Sequence, residues 1–170
     1  SDLMNVLVNN ASIRGESEFT ALDFSEWKRV LDICLDGAFL CSQAVIPMMK
    51  GQDQARIVNI GGLTAHAGAI NRAHVITAKA GLVGLTRALA EELAPIGVRV
   101  NCVSPGLVDT VRVADSAPVA PAHHKKKSNF LNRRGSAQEI ADVVAWLCSP
   151  QSSYVTGQVI HANGGAYLGG

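Results

Sequence analysis

Four short runs of apolar, largely β-branched residues alternate with longer stretches of helical period, and this alternation constrains the fold more than any other feature of the chain. Val6-Leu7-Val8 is too short and too apolar for anything but a buried strand, and Asn9-Asn10 closes it with turn chemistry. From about Ser25 to Met49, Trp27, Val30, Leu31, Cys34, Ala38 and Cys41 recur with the 3.6 period of a helix. Ile57 to Ile60 forms a second strand ending in Gly61-Gly62, and a loop leads to a helical run from about Ala73 to Leu93. Val98 to Val103 gives a third strand, stopped by Pro105-Gly106; Ala137 to Leu147 forms a third helix, and Gln158 to His161 the last strand. Strands that alternate with helices pair in parallel through helical crossovers, so the expected fold is α/β, a doubly wound, Rossmann-like parallel sheet.

Composition narrows the class. With 48% hydrophobic and 17% charged residues in 170, the chain has enough apolar content for one core and too much for disorder. A formal charge of +1 gives no global field for gathering nucleic acid or an anionic membrane. Cys34, Cys41, Cys102 and Cys148 form no C-x-x-C pair and lie in apolar stretches, so each is expected as a small buried hydrophobe in a reducing, cytoplasmic setting. No metal site is expected. No apolar run is judged long enough to span a bilayer, and the first residues lack the pattern of a signal peptide.

Residues 111–136 differ from the rest. They hold Pro118, Pro121, the run His123-His124-Lys125-Lys126-Lys127 and Arg133-Arg134, with no acidic residue between Asp115 and Glu139. Two readings stay open: a solvated basic loop, or a lid that draws an anionic ligand into the crevice at the strands' carboxyl ends.

Several motifs in order resemble the short-chain dehydrogenase/reductase family, and within it the members similar to 3-oxoacyl-carrier-protein reductases. Val6 to Ser12 looks like that family's N-N-A-G strand end, with Ser12 in place of Gly. Pro105-Gly106-Leu107-Val108-Asp109-Thr110 matches its P-G-x-x-x-T, and Gly157 through Gly165 its closing strand and terminal G-G. The resemblance implies a NAD(P)-dependent oxidoreductase that interconverts carbonyl and alcohol on a small-molecule substrate. It assigns cofactor contacts to Asn9, Ala11, Lys79, Pro105, Gly106, Val108 and Thr110. It also implies a homodimer or homotetramer assembled through the two long helices. The family's G-x-x-x-G-x-G phosphate turn is not found. The expectation is therefore a single partial domain, residues 1–170, covering the fourth to seventh strands of the family's sheet. About 80 residues would be missing at ~30 or more per βαβ unit. NAD or NADP is expected in the full-length parent, with weak or no binding by this chain alone.

The family's chemistry needs a Tyr four residues before a Lys on one helix face, where the ammonium lowers the phenol's pKa. Lys79, in Thr77-Ala78-Lys79-Ala80-Gly81-Leu82, matches the Lys, yet the Tyr position holds Val75. The family's substrate-binding Ser, thirteen residues before its Tyr, corresponds to Gly62, and its helix Asn to Cys34. His66 and His74 are the nearest groups able to move a proton near neutrality, with a structural role for each as the alternative. At ~100° per residue, position 74 lies about 140° around the helix from Lys79, which argues against His74 as its partner. Three functions remain in competition: an atypical oxidoreductase, a lyase, isomerase or hydrolase built on the same scaffold, and a non-catalytic scaffold protein.

Overall fold

The computed structural model describes residues 4–110 and 129–169. Residues 111–128 of the expected lid lie outside the described residues. The chain runs β1 (Val6–Asn9), α1 (Phe24–Leu31), α2 (Gly37–Met49), β2 (Arg56–Ile60), α3 (Thr64–Ala67), α4 (Ala73–Leu93), β3 (Arg99–Pro105), β4 (Val108–Asp109), β5 (Gly135–Ser136), α5 (Ala137–Cys148) and β6 (Val159–Ala162). Among the described residues one parallel sheet has the order β1-β2-β3-β6, and β4 and β5 pair as a separate short ribbon. In register, Leu7 lies opposite Ile57, Ile57 opposite Val100, and Ser104 opposite His161. This is the α/β sheet the alternation predicts.

Side chains alternate across each strand, so the two faces of the sheet carry separate cores. Ile57 and Val100 pack with Met49, Ala90, Leu93 and Val98 on the face covered by α2 and α4. Val58 and Val103 pack with Leu147 of α5 on the other. α5 lies over β2 and β3, and Val6 and Val8 of the edge strand β1 stay 41% and 39% exposed. The start of α5 is held by a capping box: Ser136 Oγ accepts from Glu139 N at 3.1 Å, and Ser136 N donates to Glu139 Oε2 at 2.8 Å. Arg133 adds a two-pronged pair to the same carboxylate at 2.5 and 2.8 Å.

Three expectations are corrected. Between α1 and α2 the residues Asp32–Asp36 form a π-helical turn, whose wider i→i+5 closure inserts extra residue width and rotates the downstream turns. The buried stripe therefore runs Val30, Cys34, Ala38, Ser42 and Met49, and Cys41 is exposed rather than buried. Cys148 is half-buried. Finally, the 26-residue stretch Phe24–Met49 is long and apolar enough, by length and composition, to cross a membrane. In the fold one face of it packs inward, α1 against α4 and α2 against β1, while Phe24, Phe39 and Leu40 stay exposed. Gly81 permits that approach, since a Cβ there would meet Leu35 Cδ2 at 2.7 Å.

Candidate functional site

The carboxyl ends of β1, β2 and β3 and the first half of α4 bring together most of the residues the sequence singles out. Lys79 is 7% exposed, and its ammonium donates to the Ile60 carbonyl at 2.6 Å. Burial lowers its pKa from the ordinary lysine value, opposed by the nearby thiols of Cys34 and Cys102. Burial likewise pushes the Cys102 thiol up to about 11, so that group is a neutral packing element at neutral pH.

One turn before Lys79, Val75 is 3% exposed and packs with Val30, Cys34 and Ala78 in a small apolar cluster. The Cys34 thiol lies 3.4 Å from Ser12 Oγ, accepts from Ile13 N at 3.4 Å and donates to the Ile13 carbonyl at 3.6 Å. It sits within the π turn and anchors the segment after β1. Gly62, by contrast, faces open space: nothing lies within 4 Å of where its Cβ would stand.

The remaining residues are spread more widely. Asn9 donates to Asn59 Oδ1 at 2.8 Å and to Ser42 Oγ at 3.2 Å, while Asn59 donates to Thr86 Oγ1 at 2.9 Å, a polar chain that joins β1, β2, α2 and α4. Ala11 and Thr110 are exposed. Pro105 accepts from Leu63 N at 3.0 Å, which ties the loop after β2 to the end of β3. Gly106 is needed for chain packing, because a Cβ there would stand 2.8 Å from Asn163 Cα. The Val108 carbonyl accepts from Arg134 at 2.9 Å, and Arg134 also pairs with Asp109.

The two candidate histidines part company. His74 is fully buried, faces Glu26 at 3.5 Å and fills the space beside Gly15, away from Lys79, in keeping with its angle around the helix. His66, on α3, meets His161 and Tyr167 at ring-centroid distances of 4.6 and 5.4 Å. Neither His161 nor Tyr167 was singled out by the motifs. Their meeting with His66 follows from the parallel pairing of β3 with β6 and carries no local signature in the chain.

A doubly wound parallel sheet with these residues gathered at its strand ends defines the class, an α/β scaffold of the kind that binds ligands in the crevice at the strands' carboxyl ends. The family model described as enoyl-(acyl carrier protein) reductase matches residues 2–167. The 3-oxoacyl-(acyl-carrier-protein) reductase of Aquifex aeolicus is 40% identical over 98% of this chain and 66% of its own length. That of Vibrio cholerae is 36% identical over 97% and 67%. The crystal structure of acetoin dehydrogenase from Salmonella typhimurium superposes with a TM-score of 0.84 at 37% identity, covering 96% of this chain and 64% of that one. The chain belongs to the short-chain dehydrogenase/reductase family. It spans about two thirds of the length of the relatives it matches.

Proposed function

We propose that the protein is a NAD(P)-dependent oxidoreductase acting on a carbonyl/alcohol pair of a small molecule, with an atypical site that keeps the cofactor-facing cation and has replaced the proton donor. Lys79 is the observation that carries this reading. It is a buried cation at the strand ends that spends one of its three N–H donors on Ile60. The donor set fits the nicotinamide-ribose side of such a cofactor, since two further N–H groups are available for paired hydroxyls. When bound, the cofactor would supply a hydride to a carbonyl carbon. The chain's own residues contribute less than in a complete site of this kind. Val75 has no proton to give, and Gly62 offers no hydrogen bond to a carbonyl oxygen. A missing general acid alone lowers the rate by roughly 10²–10⁴. Slow turnover is the expected outcome, with residues 1–170 as a single partial domain carrying a loop or lid at 111–136, in a homodimeric or homotetrameric assembly and a cytoplasmic setting.

The packing of Val75 against Val30, Cys34 and Ala78 favours a second reading, a cofactor-binding scaffold without turnover. Calorimetric titration of the natural full-length protein with NADH and NADPH, paired with nicotinamide absorbance in the presence of a reactive diketone, separates the two. Binding with slow oxidation supports the first, and binding without oxidation the second. Failure to bind either nucleotide removes both and leaves chemistry that needs no nicotinamide.

A further inference from the structure

Residues 13–17, in the segment that follows β1, are docked link by link along the start of α4. Ile13 packs against the cluster of Val30, Cys34, Val75 and Ala78, and both its N–H and its carbonyl bond the Cys34 thiol. Gly15 lies so close to His74 and Glu26 that a Cβ there would stand 2.5 Å from His74 Nε2 and 2.6 Å from Glu26 Oε1. Glu16 faces Arg72 at 4.0 Å, and Ser17 N donates to the Asn71 carbonyl at 2.9 Å. Arg14 therefore stands between two residues whose backbone is fixed, one on the Cys34–Val75 cluster and the other on His74. Its own backbone runs beside the turn of α4 that precedes Lys79. The charge it carries reaches that lysine: the Lys79 pKa, lowered first by burial and opposed by the thiols of Cys34 and Cys102, is lowered further by the Arg14 guanidinium.

Two cations thus serve a site that is apolar at Val75 and open at Gly62. Like charges brought together repel, and an anion set beside both relieves the repulsion. We propose that Arg14 determines the specificity of this site and selects a substrate whose carbonyl is accompanied, within a few bonds, by a carboxylate: a small oxo acid in preference to a neutral ketone or ester. The assignment rests on the oxidoreductase reading above. A guanidinium presents two parallel N–H groups that match a carboxylate, a geometry that a neutral carbonyl does not use. Arg14 is exposed, so this fork is within reach of a ligand. The fixed backbone on either side of it limits the freedom lost when the fork is engaged. Lys79 keeps its role toward the nucleotide, and the carboxylate falls to Arg14.

The probes are acetoacetate and its methyl ester, which share a ketone and differ in charge. Each is titrated calorimetrically into the natural full-length protein saturated with oxidised nucleotide, so that no hydride is transferred during the measurement. Acetoacetate should bind at least about tenfold more tightly than the ester. Arg14→Gln should abolish that preference while leaving ester and nucleotide affinities within about twofold, and Arg14→Lys should keep part of it. Unchanged nucleotide binding also reports that the variants are folded. Equal binding of the two probes, or a preference that survives in Arg14→Gln, overturns the assignment. Loss of nucleotide affinity in both variants overturns it as well, by giving the guanidinium to a cofactor phosphate. If the natural protein binds neither NAD nor NADP, the oxidoreductase reading falls and takes the assignment with it.

Discussion

Two groups of side chains lie at the carboxyl ends of the same parallel sheet, and their polar atoms are partnered to different degrees. Around Lys79 several buried polar groups have partners: the ammonium has Ile60, Asn59 joins Asn9 to Thr86, and the Cys34 thiol lies against Ile13 and Ser12, while the two ring nitrogens of His74 lack a hydrogen bond. Around His161 three buried polar atoms, His66 Nε2, His161 Nδ1 and Ser104 Oγ, have no partner. The first region is where the proposed chemistry would sit, and Val75 there is packed like core. The second region has no assigned role. A buried donor or acceptor stripped of its partner loses about 1–3 kcal/mol, so the two regions should answer substitution differently.

The comparison breaks most visibly if the packed region can be returned to chemistry. Val75→Tyr with Gly62→Ser, made in the full-length protein, places a phenol one turn from Lys79 and a hydroxyl in the open space at position 62. NAD(P)H-dependent reduction of a reactive diketone should rise by about 10²-fold or more. A folded, cofactor-binding double variant with no gain would show that positions 62 and 75 do not correspond to the family's Ser and Tyr.

A pair of alanine substitutions sharpens the contrast in stability. Asn59→Ala strips partners from half-buried Asn9 and buried Thr86 and should destabilise by about 2 kcal/mol, whereas Ser104→Ala removes a hydroxyl that has no partner and should change stability by under about 0.5 kcal/mol. Urea unfolding of both variants measures the difference. Equal effects would mean that Ser104 is satisfied in solution.

Proton linkage gives a smaller effect. The folded pKa of His66 and of His161 lies below the ordinary value of 6.5, so the unfolded chain binds protons first as the pH falls. Stability is therefore complete above 6.5 and declines below it. The groups facing His66 are His161, Arg87 and Tyr167. His66→Phe should flatten the acid limb of a melting-temperature profile, and an unaltered limb would show that another group governs it.

The smallest effect concerns the start of α5. Glu139 is held down to about 2 by its pairing with Arg133 and by Ser136 N. Its folded pKa is depressed, so its contribution is present above the ordinary carboxylate value of 4.5 and is lost as the pH falls toward 2. Faster amide exchange confined to residues 137–140 over that window is the expected signature, and Glu139→Gln should show it already at neutral pH.

Much of the architecture was legible in the chain. The strand–helix alternation gives the sheet because period 2 and period 3.6 are local properties that tertiary packing here reinforces. Lys79 and Val75 could be placed together because a helix fixes which residues share a face, and His74 could be set apart by its angle for the same reason. The His66–His161–Ser104 cluster could not be foreseen: its members sit on α3, β6 and β3 and meet through strand order, which no local pattern encodes. Cys41 was misplaced because an uninterrupted 3.6 period was carried through Asp32–Asp36, where the helix widens.

That widening also decides which genetic changes the first long helix can absorb. A π turn is a helix with one residue more than its hydrogen bonding requires, so deleting a single residue between Asp32 and Asp36 would regularise the backbone. Because the π turn already absorbs that residue, the deletion would leave Ser42 facing Asn9 and Met49 in its core, whereas a deletion in the α-helical turns on either side would swing everything beyond it by about 100°. The one shortening this helix can absorb is therefore the one that regularises Asp32–Asp36. Elsewhere along it, point substitutions should accumulate far more readily than changes of length.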